Sequence, residues 1–490
     1  MIGSGRLLTA AARLITRERM LALSLFLLTV AVFLPSCGNG FIAAYDDELY
    51  LTLNGVVRQG LTPAGFLWAF TSLTGGNWHP VTWLSHMLDV TLFGLVPAGH
   101  HLVSLLFHGG STVLLYRLLR QLGFARATAW LASLLFAVHP QRVESVAWAA
   151  ERKDVLSVFF GLAALTTYLS SLRRPGRGRY LAVVGLFLLS LLSKPMLVTL
   201  PLLILGLDQH LCGRTREGDR WPPLMEMLPL LLAAGAIGVI TWYAQAESNA
   251  VVTAPLGDRV LVALAAYGEY LRLFFVPLGL SFHYPLEGSA IGIWRPLAGL
   301  LFLAWGIRLL CRQGEPLPRV GCFWFLVTLL PVSGIVRFGG QFVADRYTYF
   351  PHIGLLILLA WGGERFLAAR PSWGRAGATS AAILLVGMAL LTVRQIGYWH
   401  DGERLYRRAI ELNPANWLAL GNLGGALVQQ ERYGEGFLLL ARAQLLRGRP
   451  AEALETLRSA RRAGGVSLRE LDLLSDEALR KIRNGDGVGR

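Results

Sequence analysis

The run MLALSLFLLTVAVFLPS at residues 20–36 is long and apolar enough to cross a lipid bilayer, and about ten similar runs follow it. A hydrocarbon core about 30 Å thick needs roughly 20 apolar helical residues, fewer where neighbouring helices shield an end. The later runs lie at 99–121, 127–140, 154–172, 180–193, 195–211, 225–244, 293–311, 320–336, 350–368 and 376–396. The stretches 79–96 and 258–280 are interrupted by His, Pro, Gly or charge, so we expect them to be interfacial or re-entrant. The sequence therefore predicts an all-α, polytopic membrane helix bundle with about 11 spans.

Composition supports a membrane protein and argues against a nucleic-acid binder. Of the 490 residues, 54% are hydrophobic and only 16% are charged, whereas soluble proteins are nearer a quarter charged. The net charge of +15 comes from short arginine-rich knots between the apolar runs. Nucleic-acid binding would require basic residues gathered on one exposed face. The four cysteines are too few and too scattered for a disulfide framework or a Cys-rich metal site.

The arginine knots also predict an orientation, because short loops rich in Lys and Arg stay in the cytoplasm. With the N-terminus inside, all of these knots fall on the cytoplasmic side; they lie at 6–19, 117–126, 173–179, 212–220, 308–319 and 365–375. The segments left outside are 37–98, 141–153, 245–292, 337–349 and the chain after about 397. An odd number of spans thus places the C-terminal part outside.

Three acids stand together in the first outer segment, in YDDELY at residues 45–50. One of them could cap the next helix by accepting from its backbone N–H groups. A cap needs a single acid, however, and adjacent carboxylates raise the pKa of at least one member. Asp46, Asp47 and Glu48 are therefore candidate functional residues.

A second outer segment carries HPQRVESVAW at residues 139–148, followed by ERKD at 151–154. Trp148 and the cations have a structural interpretation as membrane-interface anchors. The chain has only three lysines, Lys153, Lys194 and Lys481, and two of them lie on the outer side of the membrane part. An outward cation is unsuited to anchoring but suited to binding a phosphate.

The third outer segment is DRYTYFPH at residues 345–352. An interfacial aromatic girdle explains its tyrosines but not the pair Asp345-Arg346. Histidines also crowd the first third of the chain. The pairs His79/His86 and His101/His108 are seven residues apart, which on a helix means about 10.5 Å, too far for one metal ion bound by either pair alone. His79, in NWHP at 77–80, is a candidate substrate ligand instead.

These motifs together resemble the transmembrane-and-TPR-repeat O-mannosyltransferase-like family of the GT-C superfamily, which is related to the protein O-mannosyltransferases. The resemblance covers roughly residues 20–425, and the Glu-Arg-Lys-Asp block after His-Pro is its most specific part. It implies a GT-C-like transmembrane glycosyltransferase domain at 1–396 with a long first outer loop at 37–98. It also implies a short α-helical TPR-like domain outside, at 397–465.

The repeat period can be tested on the sequence. Ala409 and Ala443 are 34 residues apart, the period of tetratricopeptide repeats. Trp417 and Tyr433 follow in the expected order, but Gly436 stands where alanine is usual. We therefore expect one recognisable repeat plus degenerate helices, packed on the membrane body or on a partner. The last segment, 466–490, is expected to be a partly disordered tail.

The resemblance implies transfer of a mannose-like hexose from a polyprenyl-phosphate-linked donor to a hydroxyl, of protein Ser or Thr, on the periplasmic side of a bacterial inner membrane. Asp46 or Asp47 would be the base, with Asp47-Glu48 as an alternative acidic pair, and Arg152, Lys153 and Arg346 would hold the phosphate. The wider set of substrate-binding candidates is His79, His139, Glu144, Asp154, Asp345 and Tyr347. The transfer is expected to invert the sugar.

Several alternatives remain open at this level. The acceptor can be a protein, a lipid or a glycan, and a divalent metal can be required or not. A non-catalytic membrane scaffold that recruits partners through its tail is the rival class. The expected partners are membrane lipid, the lipid-linked sugar and a protein acceptor bound through the tail, with no nucleic acid.

Overall fold

The computed structural model describes residues 2–209, 223–248, 251–252, 254–286, 292–312, 314–338 and 340–484. Within these ranges the membrane part contains fifteen α-helices. They are α1 Ile2–Phe33, α2 Pro63–Thr71, α3 Pro80–Phe93, α4 Pro97–Gln121, α5 Arg126–Ala137, α6 Arg142–Ala147, α7 Arg152–Arg173, α8 Arg177–Ser193, α9 Leu200–Leu207, α10 Pro223–Glu247, α11 Leu256–Phe275, α12 Trp294–Cys311, α13 Pro316–Leu329, α14 His352–Ala369 and α15 Gly374–Tyr398. Two short strands, β1 Val251–Val252 and β2 Arg337–Phe338, pair antiparallel.

Seven helical segments are long and apolar enough to cross a membrane, which makes this an integral membrane protein. They are Thr16–Gly38, Pro97–Gln121, Ala149–Arg173, Glu226–Glu247, Trp294–Cys311, His352–Ala369 and Pro371–Tyr398. The prediction of an all-α membrane bundle is therefore confirmed. Each of the eleven predicted runs contains a helix, but those at 127–140, 180–193, 195–211 and 320–336 form helices shorter than a full span.

The short helices end where the chain turns into polar segments. α5, for example, stops at Ala137, just before His139-Pro140. A helix surrounded by other helices can end inside the protein, because its last backbone groups are satisfied there and not by lipid. The interrupted stretches 79–96 and 258–280 form α3 and α11, and neither is among the seven segments.

Glycines allow two helix pairs of the bundle to approach closely. A Cβ added to Gly268 of α11 would overlap the carbonyl oxygen of Arg295, and one added to Gly299 of α12 would overlap that of Leu264. Gly321 of α13 and Gly354 of α14 face each other in the same way. Small residues at such crossings are typical of helix pairs in membranes, where van der Waals packing drives association.

Five further helices form a C-terminal tail, in which each helix packs on the next. They are α16 Gly402–Leu412, α17 Trp417–Gln429, α18 Tyr433–Leu446, α19 Pro450–Ala463 and α20 Leu468–Arg483. Asp401 and Asn416 cap α16 and α17 by accepting from backbone N–H groups of the first turn. Glycine stands at position 436, where alanine is usual, because a Cβ there would lie 2.8 Å from the carbonyl oxygen of Gly424.

The segment 466–490, expected to be a partly disordered tail, begins with a helix. Leu468–Arg483 is a helix, and its Leu471 and Ala478 are buried against α18 and α19. Its apolar residues recur at helical spacing on one face, which gives the segment a surface to bury. Residues 485–490 lie outside the described ranges.

The tail is docked on the membrane part. The Tyr406 hydroxyl donates to the carbonyl of Ala43 at 2.6 Å, and the Gly40 N–H donates to the carbonyl of His400 at 2.9 Å. Asn416 and His283 exchange two hydrogen bonds, each of 3.2 Å. The first two tail helices therefore rest directly on the loop that carries the acidic motif.

Candidate functional site

The three acids of the first loop have three different environments. Asp47 is fully buried, and its carboxylate accepts from the N–H groups of Ile42 and Ala150, both at 2.8 Å. Glu48 accepts from the N–H of Ala44 at 2.9 Å. Asp46 is half-buried and accepts no hydrogen bond from any residue that the structure describes. Asp47 therefore ties the loop to the start of α7, while Asp46 is left with a free carboxylate.

The charges of Asp46 and Lys153 both act on the buried carboxyl of Asp47. Burial raises the pKa of Asp47 to about 7, although its two backbone N–H donors lower it. The charge of Asp46 adds to the rise, and the charge of Lys153 opposes it. Asp46 and Lys153 thus both lie within electrostatic reach of Asp47, one on the side of the loop and one at the start of α7.

Asp46 lines a cavity of about 840 Å³ between the first loop and the tail. Tyr45, Glu48 and Asn54 line it on the loop side, and α17 forms the opposite wall. Asn54 is held by its own hydrogen bonds, since its Oδ1 accepts from the N–H groups of Val56 and Val57 at 3.1 and 3.0 Å. The free carboxylate therefore faces a space large enough for a substrate.

Six charged side chains form what we call the ionic cluster beside Asp47. Its members are Glu144, Glu151, Asp154, Lys153, Lys194 and Arg346. Lys153 Nζ lies 3.0 Å from Glu151 Oε2, and Lys194 pairs with both Glu151 and Asp154, the latter at 2.6 Å. Arg346 pairs with Glu144. Three acids and three bases cancel, so the ionic cluster is formally neutral.

The cations of the ionic cluster are more exposed than its carboxylates. Lys153, Lys194 and Arg346 keep 8, 14 and 12% of their side-chain surface, whereas the three acids keep 1 to 3%. The acids are thus more deeply buried than the bases. Of the three cations, planar Arg346 has the geometry to bind a phosphate through two N–H groups.

Trp148 connects the ionic cluster to the acidic loop. Its ring stacks on Tyr45 with 4.6 Å between centroids. Lys153 Nζ and Arg346 Cζ lie 5.6 and 5.7 Å from the Trp148 ring centroid. Tyr45 immediately precedes Asp46, so the free carboxylate and two of the three cations lie around one aromatic pair.

Arg152 does not join this arrangement. Its guanidinium is completely buried and pairs with Asp89 of α3. It also donates to Ser104 Oγ at 3.1 Å and to the carbonyl of His100 at 2.5 Å. The structure therefore places Arg152 apart from the ionic cluster, and its expected role in holding the donor phosphate stays a prediction. Successive residues of a helix point about 100° apart, which turns Arg152 towards α3 and α4 and Lys153 towards Glu151 and Trp148.

Other predicted site residues support the fold around the cluster. His139 uses both ring nitrogens, since Nε2 donates to the carbonyl of Phe274 at 3.0 Å and Nδ1 accepts from the Gln141 N–H. Asp345 is buried and accepts from Gln141 and Tyr284, each at 3.2 Å. Burial raises the pKa of Asp345 well above its usual value. Asp345 thus joins the third outer segment to Gln141, just before α6, while His139 joins the second outer segment to the end of α11.

The two remaining predicted residues differ in their surroundings. The Tyr347 hydroxyl accepts from Gln341 at 2.8 Å, and its ring lies 5.1 Å from Arg346 Cζ at the edge of the ionic cluster. The ring of His79 is fully buried and stacks 5.4 Å from Tyr50, and Lys153 Nζ also lies over the Tyr50 ring. Its two nitrogens have no hydrogen-bond partner among the described residues. Burial holds the pKa of His79 well below its usual value, so the ring is neutral.

One group of side chains has metal-ligand chemistry. Donor atoms of His86, Asp89 and His100 all lie within 4.8 Å of one another. Arg152, however, already pairs with Asp89. A divalent ion here would be placed beside a buried guanidinium, with one carboxylate to offset both charges. We therefore assign no metal to this group.

Sequence reasoning missed Lys194 and Trp148 as site residues. Lys194 stands alone between two apolar runs. Because lysine is rare in this chain and the basic loops use arginine, its residue type was the signal that could have marked it as a site residue. Its place in the ionic cluster depends on the turn between α8 and α9 meeting the start of α7, which no local pattern predicts. Trp148 has the appearance of an interface anchor until its stacking on Tyr45 is seen.

The curated relatives of this sequence are protein O-mannosyl-transferases. Tmtc1 of Drosophila melanogaster is 25% identical over 84% of this chain and 60% of its own length. Human TMTC4 is 26% identical over 80% of this chain and 62% of its own length. The chain thus spans about three-fifths of these relatives. No protein-family model matches it.

Solved structures offer a weaker likeness. Archaeal oligosaccharyltransferase AglB from Archaeoglobus fulgidus, in complex with an inhibitory peptide and a dolichol-phosphate, aligns over 86% of this chain and 59% of its own at 12% identity, with a TM-score of 0.43. ArnT from Cupriavidus metallidurans, bound to undecaprenyl phosphate, aligns over 98% and 78% at 15% identity, with a TM-score of 0.39. The chain is thus similar to protein O-mannosyl-transferases over most of its length, and like a membrane protein it carries long apolar helices.

Proposed function

We propose that the protein is a membrane glycosyltransferase that moves a hexose from a polyprenyl-phosphate-linked donor to a hydroxyl acceptor. The observation that carries the proposal is the Tyr45–Trp148 stack, which brings together Asp46, the residue after Tyr45, and two cations of the ionic cluster, Lys153 and Arg346. Sugar transfer needs a base for the acceptor and positive charge for the departing phosphate. The names of the relatives support mannose as the hexose and protein as the acceptor.

In this mechanism Asp46 takes the proton of the acceptor hydroxyl as its oxygen attacks the anomeric carbon. The bond from that carbon to the phosphate oxygen breaks, and its electron pair leaves with the polyprenyl phosphate. Attack opposite the leaving phosphate inverts the sugar. Asp47 is unsuited to be the base because both of its oxygens already accept backbone hydrogen bonds.

Lys153, Lys194 and Arg346 would bind the phosphate and stabilise the charge it gains on leaving. Each cation already has a carboxylate partner, so binding adds an anion to a formally neutral cluster. The cations can turn from the buried acids towards the phosphate, because they form the exposed side of the cluster. Preorganised cations of this kind cost little reorganisation at the moment of reaction.

We place the site on the periplasmic side, with the N-terminus in the cytoplasm. The arginine knots support this orientation, since basic short loops stay in the cytoplasm. Asp46, the ionic cluster and the tail lie at the opposite ends of the helices from Arg173, Arg177 and Arg120. The degenerate helical repeats of the tail would then also be periplasmic.

The proposal is tested with the full chain in lipid nanodiscs and synthetic polyprenyl-phosphate hexoses, by measuring sugar release and transfer to a Ser-containing peptide. Asp46→Asn should reduce transfer by about 100- to 10,000-fold, the usual contribution of a general base. Arg346→Lys keeps the charge but removes the two-pronged contact, and it should weaken donor affinity. Glu455→Gln, an exposed acid on α19, is the matched control. Full activity of Asp46→Asn would refute the mechanism.

A further inference from the structure

A groove opens between α5, α14 and α15 at the end of the bundle away from Asp46. Its volume is about 450 Å³, which is within the range of ligand pockets. Of the lining residues that the structure describes, only Thr128 and Glu364 have polar side chains. The Glu364 carboxylate accepts from the Ala125 N–H at 2.9 Å, at the start of α5. The groove is thus an apolar space whose single acid already has a partner.

Small residues of α14 and α15 leave this space open. On α15 they recur at helical spacing and share one face; they are Gly374, Gly377, Ala378 and Ala381. A Cβ added to Gly363 of α14 or to Gly374 would meet no atom within 4 Å. These glycines therefore differ from those at the α11–α12 crossing, where two helices touch, because here the missing side chains leave a channel between helices.

The groove reaches from one end of these helices to about the middle of the bilayer. Its lining on α15 runs from Gly374 to Leu385, which is about 16 Å at 1.5 Å per residue. A hydrocarbon core is about 30 Å thick, so this depth corresponds to one leaflet. An acyl chain has no polar group that needs a hydrogen bond, and it therefore matches the apolar lining.

The mouth of the groove carries two cations without partners. Arg370 and Arg375 are exposed, and neither has an ion pair with any residue that the structure describes. Arg370 Cζ lies 5.4 Å from the ring centroid of the lining residue Phe366. Trp373 packs edge-on against the same ring at 5.9 Å, and tryptophan at helix ends marks the level of lipid headgroups. The two arginines thus stand where a headgroup would lie.

Two other occupants fit this mouth less well. Two copies of the chain joined through this face about a twofold axis would bring Arg370 and Arg375 of both against one another, and like charges repel. A donor lipid would need its phosphate at the ionic cluster, which includes Arg346, just before α14. From His352 to Phe366 this helix rises about 21 Å. A phosphate held at the groove mouth therefore cannot reach the ionic cluster.

We propose that this groove binds an anionic phospholipid, with one acyl chain along the small-residue face of α15 and the headgroup phosphate at Arg370 and Arg375. Basic pockets between membrane helices are suited to anionic headgroups. The site lies in the leaflet opposite Asp46 and the ionic cluster. It is separate from the proposed transferase function, so it is tested by binding and not by activity.

The first experiment uses native mass spectrometry of the full chain in detergent, with phosphatidylglycerol and phosphatidylcholine of identical acyl chains as probes. An arginine near an anionic headgroup contributes about fivefold in affinity, so phosphatidylglycerol should bind about 25-fold more tightly. Arg370→Gln combined with Arg375→Gln should remove most of that preference. Arg174→Gln combined with Arg177→Gln makes the same charge change at exposed positions of the α7–α8 turn and should preserve it.

Equal affinity for the two lipids would overturn the proposal. An equal loss of preference in both double variants would assign it to the overall charge of the protein and would refute the site in the same way.

The second experiment fills the groove. Ala381 lines it, whereas its neighbour Ala382 is exposed and is not part of the lining. Ala381→Phe should weaken the binding of phosphatidylglycerol by about tenfold, and Ala382→Phe should leave it unchanged. The same affinity in both variants would show that the acyl chain does not lie in the groove.

The other occupants give different results in the same measurements. If polyprenyl phosphate displaces phosphatidylglycerol at lower concentration and itself loses affinity in the Arg370/Arg375 double variant, the groove belongs to the donor lipid. If the spectra show a dimer that Ala381→Phe disrupts while lipid binding stays unchanged, the groove is an interface between copies. Either result would refute the phospholipid site.

Discussion

Exchanging the two adjacent aspartates for asparagine one at a time should separate stability from catalysis. In Asp47→Asn one carboxylate oxygen becomes an NH2 group, which faces either the Ile42 or the Ala150 N–H across 2.8 Å. The site is fully buried, so water cannot replace the lost partner. A hydrogen bond to a charged group contributes about 1.5–3 kcal/mol, and an unsatisfied buried donor costs about 1–3 kcal/mol. We expect Asp47→Asn to lose about 4 kcal/mol of stability.

Asp46→Asn should behave in the opposite way. Asp46 has no hydrogen bond to lose within the described structure, and half-exposed substitutions of this kind usually change stability by less than about 0.5 kcal/mol. Its effect should appear only in the transfer rate. The assay is a thermal unfolding curve in detergent for each variant, together with the transfer rate per folded molecule in nanodiscs.

The expected pattern is a lowered unfolding midpoint with substantial activity per folded molecule for Asp47→Asn, and an unchanged midpoint with almost no activity for Asp46→Asn. The reverse pattern would show that Asp47 is the base despite its two backbone hydrogen bonds. Loss of both stability and activity in both variants would show that the loop acts as one unit and that the assignment to Asp46 is wrong.

Three further predictions follow from the same contacts. Lys194→Met combined with Asp154→Asn keeps the ionic cluster neutral, so it should fold but raise the donor KM at least tenfold; an unchanged KM would make Lys194 purely structural. Arg152→Met should cost about 3–5 kcal/mol because it leaves Asp89 buried without a partner, and adding Asp89→Asn should recover most of that loss in thermal unfolding. Burial lowers the pKa of His283 to about 4, whereas the pKa in the unfolded state is near 6.5, so the unfolded state binds the proton more readily. The free energy of unfolding should therefore fall by about 3 kcal/mol as pH drops from about 6.5 to 4. His283→Gln should reduce that pH dependence.

The helices that could be predicted from the sequence are those formed by continuous apolar runs. A run such as 20–36 has one stable solution in a bilayer, a helix that satisfies its own backbone groups. The helices that end early could not be predicted as short, because their ends are satisfied by distant segments. The sequence analysis did not single out the helix at the end of the tail, since its apolar face has a partner only when α18 and α19 are in place.

The sequence motifs predicted which segments form the candidate site, but they did not predict the role of each residue. Asp46 and Asp47 are chemically identical neighbours, and they are distinguished by burial and by hydrogen bonds to Asp47, one of them from the N–H of Ala150, 103 positions away. In the same way Arg152 and Lys153 stand side by side in the sequence but point in different directions from one helix. The roles assigned to Asp46, Lys153 and Arg346 stay predictions for the experiments above.

The docking of the tail on the first loop has a consequence for how the protein is made. The loop with Asp46 is synthesised early, whereas α17 follows the last apolar run, so the two walls of the cavity are separated by more than 360 residues of translation. Until the tail has been made and has packed on Ala43 and Gly40, the cavity beside Asp46 lacks the wall that α17 forms. The cavity can thus form only after α17 has been made, whereas all six residues of the ionic cluster precede the tail in the chain.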